Sequence, residues 1–294
     1  MKLRSIELVL PQAKAAAEFL TDIWGLAMSA VINDSYYLRG SGSFPYVIAL
    51  REGDANAVRT TTFECAAGEL SSLRERVVAS GLHATPTSSR DLGGGEGLIV
   101  ELPEGELFRF LVDAGEVEPL DDKDMPVKLT HVVMNSADAE ATGDVLEKVL
   151  DFRVSDRTKM MVFVRCNAAH HSLAFARAGF SSLNHIAFEM ADVDAVMRGI
   201  GRLRDHKMTP VWGPGRHGPG NNMFAYFVAP FGGIVEFSTA VNTVAEDHQP
   251  GRPEDWRWPE NRIDQWGVSE RDNAAISAAE RVFYYQRNWD PAPL

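Results

Sequence analysis

The segments LTHVVM (129–134) and LNHIAF (183–188) are short apolar runs of strand composition, each with a histidine at its third position. A third run, GGIVEF (232–237), carries a glutamate between valine and phenylalanine. His131, His185 and Glu236 are thus polar groups in stretches that should be buried. An imidazole or carboxylate buried without a partner costs several kcal/mol, so such groups are normally paired or bound to a metal. Alone, a strand histidine is more often a hydrogen-bonded core residue. The three gain weight because they occupy corresponding places in repeated units.

The repeat has a period of roughly 50 to 60 residues, a spacing typical of stacked supersecondary units. Each unit reads strand, helix, then further strands. The first runs from RSIELVL (4–10) through the helical AKAAAEFLTDIWG (13–25) to YVIALREG (46–53). The second runs from RTTTFECA (59–66) through ELSSLRERVVASG (69–81), capped at Gly81, to LIVELPEGELFRFLVD (98–113). The third comprises KLTHVVMN, ADAEATGDVLEKVLD, MMVFVRC and HSLAFAR. The fourth comprises LNHIAFEM, VDAVMRGIGRLRDHK, MFAYFVAP and GIVEFST. The acidic, proline-containing stretch 115–127 reads as a linker. The expected organisation is therefore an N-terminal domain over 1–114, a C-terminal domain over 128–240, and an extension over 241–294. Trp256, Trp258, Trp266 and the helical NAAISAAERVFYY (273–285) make that extension too aromatic for a solvated tail, so it should pack on the second domain or on a neighbouring subunit.

Composition narrows the class. A net charge of −12 over 294 residues argues against nucleic acid or an anionic membrane as partner. No apolar run approaches the roughly 20 residues of a membrane span, and no signal peptide is evident. Two cysteines without a CxxC pattern fit a reducing cytoplasm. Cys65 and Cys166 read as small apolar residues, and His83, His206 and His248 as surface or capping groups. DLGGGEG (91–97) reads as a hairpin turn. WGPGRHGPGNN (212–222) lacks the lysine and hydroxyl of a phosphate-binding loop and suits a loop held close to a ligand.

Two histidines and one carboxylate that leave open positions form the ligand set of non-haem Fe(II) oxygenases. Together with NHIAFEMADVDAV (184–196) and GPGRHGPGNNMFAYFVAPFGGIVEFST (213–239), four βαβββ units in two domains resemble the vicinal oxygen chelate superfamily, and within it the type I extradiol ring-cleaving dioxygenases. That resemblance covers residues 3 to about 240. It implies an α+β fold in which four βαβββ modules pair into two domains, each an open, incompletely closed β-barrel flanked by helices. It also implies Fe(II), with Mn(II) compatible, at His131, His185 and Glu236, and a small aromatic diol and O2 as partners of a homo-oligomeric, cytoplasmic enzyme.

The same resemblance assigns three further residues. His171, fourteen residues before His185 in NAAHHSLAF, matches an acid–base histidine. His217 would bond the substrate's second hydroxyl, and Tyr226 its ionised oxygen. His170 should point the opposite way if the segment is extended. Met160, Met161, Phe163 and Met223 are candidates to line an aromatic pocket, although methionines on strands are more often plain core. Aligning the units puts Glu7 where His131 stands and Arg109 where Glu236 stands, so the first domain lacks the ligand set. Ala174 falls opposite Glu236, where glyoxalase-like relatives carry a fourth ligand. Two alternatives stay open: a metal-dependent isomerase, lyase or transferase of glyoxalase type, and a non-catalytic ligand-binding protein on the same fold.

Overall fold

The computed structural model describes residues 1–89 and 92–285. Asp91 of the expected hairpin turn and residues 286–294 of the expected extension lie outside them. Four βαβββ units follow one another. The first holds β1 (Lys2–Leu10), α1 (Ala13–Phe19), β2 (Ala27–Ile32), β3 (Ser35–Arg39) and β4 (Ile48–Glu52). The second holds β5 (Ala57–Glu64), α2 (Ala67–Ser80), β6 (Ala84–Ser89), β7 (Gly95–Glu101) and β8 (Leu107–Val112). The third holds β9 (Lys128–Ser136), α3 (Ala139–Lys148), β10 (Arg153–Arg157), β11 (Met161–Arg165) and β12 (Leu173–Arg177). The fourth holds β13 (Ser182–Glu189), α4 (Val193–Asp205), β14 (Trp212–Arg216), β15 (Met223–Val228) and β16 (Ile234–Thr239).

Units one and two share a sheet of order β2-β3-β4-β1-β5-β8-β7-β6, and units three and four a sheet of order β10-β11-β12-β9-β13-β16-β15-β14. Neither path returns to its own edge, so both are open, as the α+β expectation required. In the second sheet the two units meet where β9 pairs antiparallel with β13, flanked by the parallel pairs β12–β9 and β13–β16. The central strands β9, β13 and β16 are buried along almost their whole length.

Alternation divides the two faces of this sheet. Phe237 stacks on Trp24 with ring centroids 3.7 Å apart, so its neighbour Glu236 points to the opposite side. Trp24 ends a π-helical turn, Leu20–Trp24, that finishes the helix expected over 13–25 and stops at the left-handed Gly25. Its indole is fully buried, and Arg202 of α4 donates to the carbonyls of Ile23 and Trp24 at 2.8 and 2.6 Å. The two sheets are thus joined through a dry aromatic contact sealed by a guanidinium.

Two expectations about the C-terminal region change. The helix expected over 273–285 is only Asn273–Ala279 (α5), because Tyr284–Tyr285 (β17) adds as a parallel strand to β5 of the first sheet. The segment after residue 240 therefore bridges both sheets, with Phe283 buried between them. The stretch expected to be a loop over 212–222 begins as β14, because Trp212 and Gly215 pair with Tyr226 and Phe224; only residues 217–222 form the turn, closed by the His217 amide donating to the Asn222 carbonyl at 2.9 Å. No helix of the described residues is long and apolar enough to cross a membrane.

Candidate metal centre

Register explains why residues far apart in sequence meet. Ala187 on β13 pairs with His131 on β9 and with Glu236 on β16. Glu236 pairs with Tyr226 on β15, and Tyr226 with Trp212 on β14. Directly paired residues share a face, so one row across five strands carries His131, Ala187, Glu236, Tyr226 and Trp212. The next row on that face holds His185, Val133, Ala174 and Phe163.

The outcome is a compact donor set. Glu236 Oε2 lies 3.1 Å from Nε2 of both His131 and His185, and all three groups are buried. One ligand atom from each falls within 4.8 Å of the others, and they are the only such group among the described residues. Burial pushes the Glu236 carboxyl up, but the two imidazoles outweigh it and hold it well below the usual carboxylate range. Burial lowers the His185 pKa, opposed by Glu236. His185 Nδ1 is 2.7 Å from Asn184 Oδ1, an acceptor that holds the ring with its Nε2 turned toward Glu236. Three buried donors converging with no cation of their own fit a divalent ion.

The surroundings are mostly aromatic. Tyr226 Oη is 3.0 Å from His217 Nε2, and the His217 ring stacks on Phe224 with centroids 3.9 Å apart. Burial lowers the His217 pKa to about 4 and, with Glu236 adding to it, lifts the Tyr226 phenol well above its ordinary value. His171 lies against His131 with ring centroids 4.4 Å apart, and burial among histidines drives its pKa well down. Five of the six residues expected at the site, His131, His171, His185, His217 and Tyr226, line one cavity of about 690 Å³, and the sixth, Glu236, lies fully buried against His131 and His185. Met160, Met161 and Phe163 line the cavity too. Met223 does not: it is 1% exposed and packs in the core, on the face away from Tyr226's neighbours.

Sequence reasoning missed several members. His170 does not point away: the chain is not a strand at that position, and His170 Nδ1 lies 3.0 Å from His171 Nδ1. Asp156 stands behind it, its Oδ2 2.5 Å from His170 Nε2. Asn222 donates to Ser238 Oγ at 2.8 Å, with Glu236 Oε1 3.5 Å away. The extension supplies Trp256, Trp258, Ile263 and Arg271 to the cavity wall, anchored by the fully buried Asp264, which accepts from the backbone of Trp266, Gly267 and Ser269. The double histidine and the asparagine before His185 were visible signals; the extension's role was not.

Residues 128–237 match the Glyoxalase/Bleomycin resistance protein/Dioxygenase superfamily. A Mn(II)-bound glyoxalase from Novosphingobium aromaticivorans superimposes on the structure with a TM-score of 0.86 at 31% sequence identity, covering 93% of each chain. The chain belongs to this superfamily. Two other relatives are Metapyrocatechase 2 of Cupriavidus necator, 24% identical over 246 residues and 74% of each chain, and an iron-dependent extradiol dioxygenase of Rhodococcus jostii. The latter is 26% identical over 241 residues, 73% of this chain and 80% of that one. Within this glyoxalase/dioxygenase superfamily chain, among the described residues, only the second sheet carries such a donor set. In the first, Glu7 is held by Arg51 and Arg59 at 3.1 Å each, and Arg109 bonds Thr62 and Tyr46.

Proposed function

We propose that the chain is an extradiol dioxygenase that opens a catechol-type ring beside its two hydroxyls and incorporates both atoms of O2. Its ion would be Fe(II), with Mn(II) also compatible, held by His131, His185 and Glu236. The observation that carries the reading is a donor set limited to one face. The position where a fourth ligand would fall is Ala174, whose buried methyl group offers an ion no donor, and the imidazoles of His131 and His185 face a cavity of about 690 Å³ that can take diol and dioxygen. The relatives named as dioxygenases support the same reading.

When bound, the ion supplies the redox coupling between diol and O2 that no side chain here provides. The chain's own residues handle position and protons. The aromatic and methionine walls take the ring, and Trp212, stacked beside Tyr226, narrows the cavity on one flank. Tyr226 Oη, kept protonated by burial, donates to an ionised substrate oxygen. His217, kept neutral, orients Tyr226 and offers the second hydroxyl a partner. His171, a neutral base in a dry wall, takes the proton of a substrate hydroxyl and returns it to the departing oxygen.

A second reading is a Mn(II)-dependent isomerase, favoured by the 31% identical relative. O2 uptake decides between them. The protein, purified without oxygen and loaded with Fe(II) or Mn(II), is given a panel of monocyclic and biaryl diols. Consumption of one O2 per diol with a coloured ring-opened product is expected. Turnover of a thiol–aldehyde adduct without O2 would overturn the dioxygenase reading.

A further inference from the structure

Asp156, His170 and His171 form an unbroken buried line: Asp156 Oδ2 to His170 Nε2 at 2.5 Å, then His170 Nδ1 to His171 Nδ1 at 3.0 Å. All three are at most 3% exposed. The rest of Asp156 is also spoken for, since its Oδ1 accepts the Gly251 amide at 2.6 Å. Two glycines close the line against solvent. A Cβ at Gly220 would sit about 3.0 Å from Nδ1 of His170 and 3.0 Å from Cε1 of His171, and Gly220 has φ +72°. A Cβ at Gly251 would sit 2.8 Å from Asp156 Oδ1. The backbone is therefore pressed onto the line at Gly220 and Gly251, and a side chain at either position would displace one of its partners.

We propose that Asp156 and His170 are positioning residues that fix His171 in its Nδ1–H tautomer, so that Nε2, the nitrogen left for the cavity, is bare before substrate arrives. The proposal rests on the reading of His171 as the proton-transfer group. A carboxylate only accepts, so His170 donates its Nε2–H to Asp156. Neutral His170 then has a bare Nδ1, which can only accept, and His171 must supply the proton between the two rings. His171 Nε2 is left with a lone pair. When a substrate O–H breaks, its proton forms the Nε2–H bond, and the resulting imidazolium keeps its Nδ1–H on His170. The negative charge of Asp156, relayed through one ring, stabilises that cation, as an acid behind a histidine does in a catalytic triad. Without the line, a neutral His171 is free to adopt the opposite tautomer, which presents a proton where an acceptor is needed.

The test reads the tautomer directly. The full chain, labelled with ¹⁵N-histidine and stripped of metal with a chelator, is examined by long-range ¹H–¹⁵N spectra, with His171 signals assigned by their loss in His171→Asn. Wild type should show a protonated Nδ1 and a bare Nε2. Asp156→Asn, whose amide donates to His170, should invert both rings and give His171 Nε2–H, while Asp156→Glu should keep the wild-type pattern. His170→Gln independently replaces a group that can only accept by an amide that can present either its oxygen or its NH2, and should leave His171 a mixture of tautomers. Under turnover, Asp156→Asn should lower kcat about a hundredfold with KM little changed, the lower end of what a placed acid–base group contributes. Combined with His171→Asn, it should cost nothing further. A wild-type His171 carrying Nε2–H, or a tautomer unmoved by both Asp156→Asn and His170→Gln, would overturn the proposal. The expected tautomers without O2 uptake on any diol would instead count against the dioxygenase reading and leave the positioning intact.

Discussion

Ala187 sits directly opposite Glu236 in the parallel pair of β13 with β16, and its methyl group is fully buried. On its other side it opposes His131. The donor set thus spans a methyl-sized gap, because neighbouring strands are only about 4.8 Å apart. Ala187→Leu should fill that gap and push the imidazole and carboxylate apart. Metal content after dialysis against a weak chelator should fall about tenfold or more, comparable to losing a group that orients a ligand, while Ala187→Gly keeps it. Full retention by the leucine variant would show that the ion sits elsewhere.

Tyr226 and His217 share one hydrogen bond at 3.0 Å, with Tyr226 Oη 3.5 Å from His185 Nε2. Since the phenol touches the cavity without belonging to the donor set, Tyr226→Phe should leave metal content unchanged. Rate should fall about a hundredfold to a thousandfold, the scale of one lost charge-directed hydrogen bond in a dry site. Single-turnover measurement of ring opening separates this from slower product release.

How legible this centre was depends on how local its signals are. His131, His185 and Glu236 could be read because each interrupts an apolar run and the units repeat. Strand composition placed the βαβββ units as well. His170 could not be placed, because alternation predicts direction only within a strand and residues 166–171 are irregular. Asp156 lies on β10, where it looks like an ordinary polar residue at a sheet edge; only the fold brings Gly251 and His170 onto it. The same holds for the extension. Its tryptophans indicated packing, but β17 joins the first sheet through backbone bonds that any sequence could make.

Acid should destabilise the protein through its buried histidines. His217 has a folded pKa of about 4 against an ordinary 6.5, because burial penalises its cation. Between those values the unfolded chain binds a proton that the folded one does not, so stability falls as pH drops from 6.5 toward 4. For His217 the loss approaches about 3 kcal/mol at the lower end, and His185 and His171 shift in the same direction. In chelator-treated protein, His217→Gln should flatten the decline of Tm between pH 7 and pH 5. An equal slope in variant and wild type would mean that His217 is not desolvated when folded. Glu236 works in a lower window: its carboxyl is depressed, so its contribution is present above the ordinary carboxylate range and is lost only in stronger acid.

Phe283 tests whether the C-terminal segment is part of the fold or an appendage. Its ring is 1% exposed, meets Phe231 edge-on at 6.2 Å, and its carbonyl accepts from Leu183 at the start of β13. Two residues before β13's His185, that bond ties the segment to the strand bearing a donor. Nearby, Glu280 Oε1 accepts from Asn184 at 2.8 Å, and Asn184 in turn holds His185 Nδ1. Phe283→Ala should therefore destabilise the whole molecule by about 3–5 kcal/mol, as buried phenylalanine truncations do, in one cooperative transition. Glu280→Ala, which leaves the ring packed, should cost less stability but loosen His185 and weaken metal retention. If denaturant unfolding of Phe283→Ala instead loses only a small early phase while metal stays bound, the segment is peripheral and Asn184 alone orients His185.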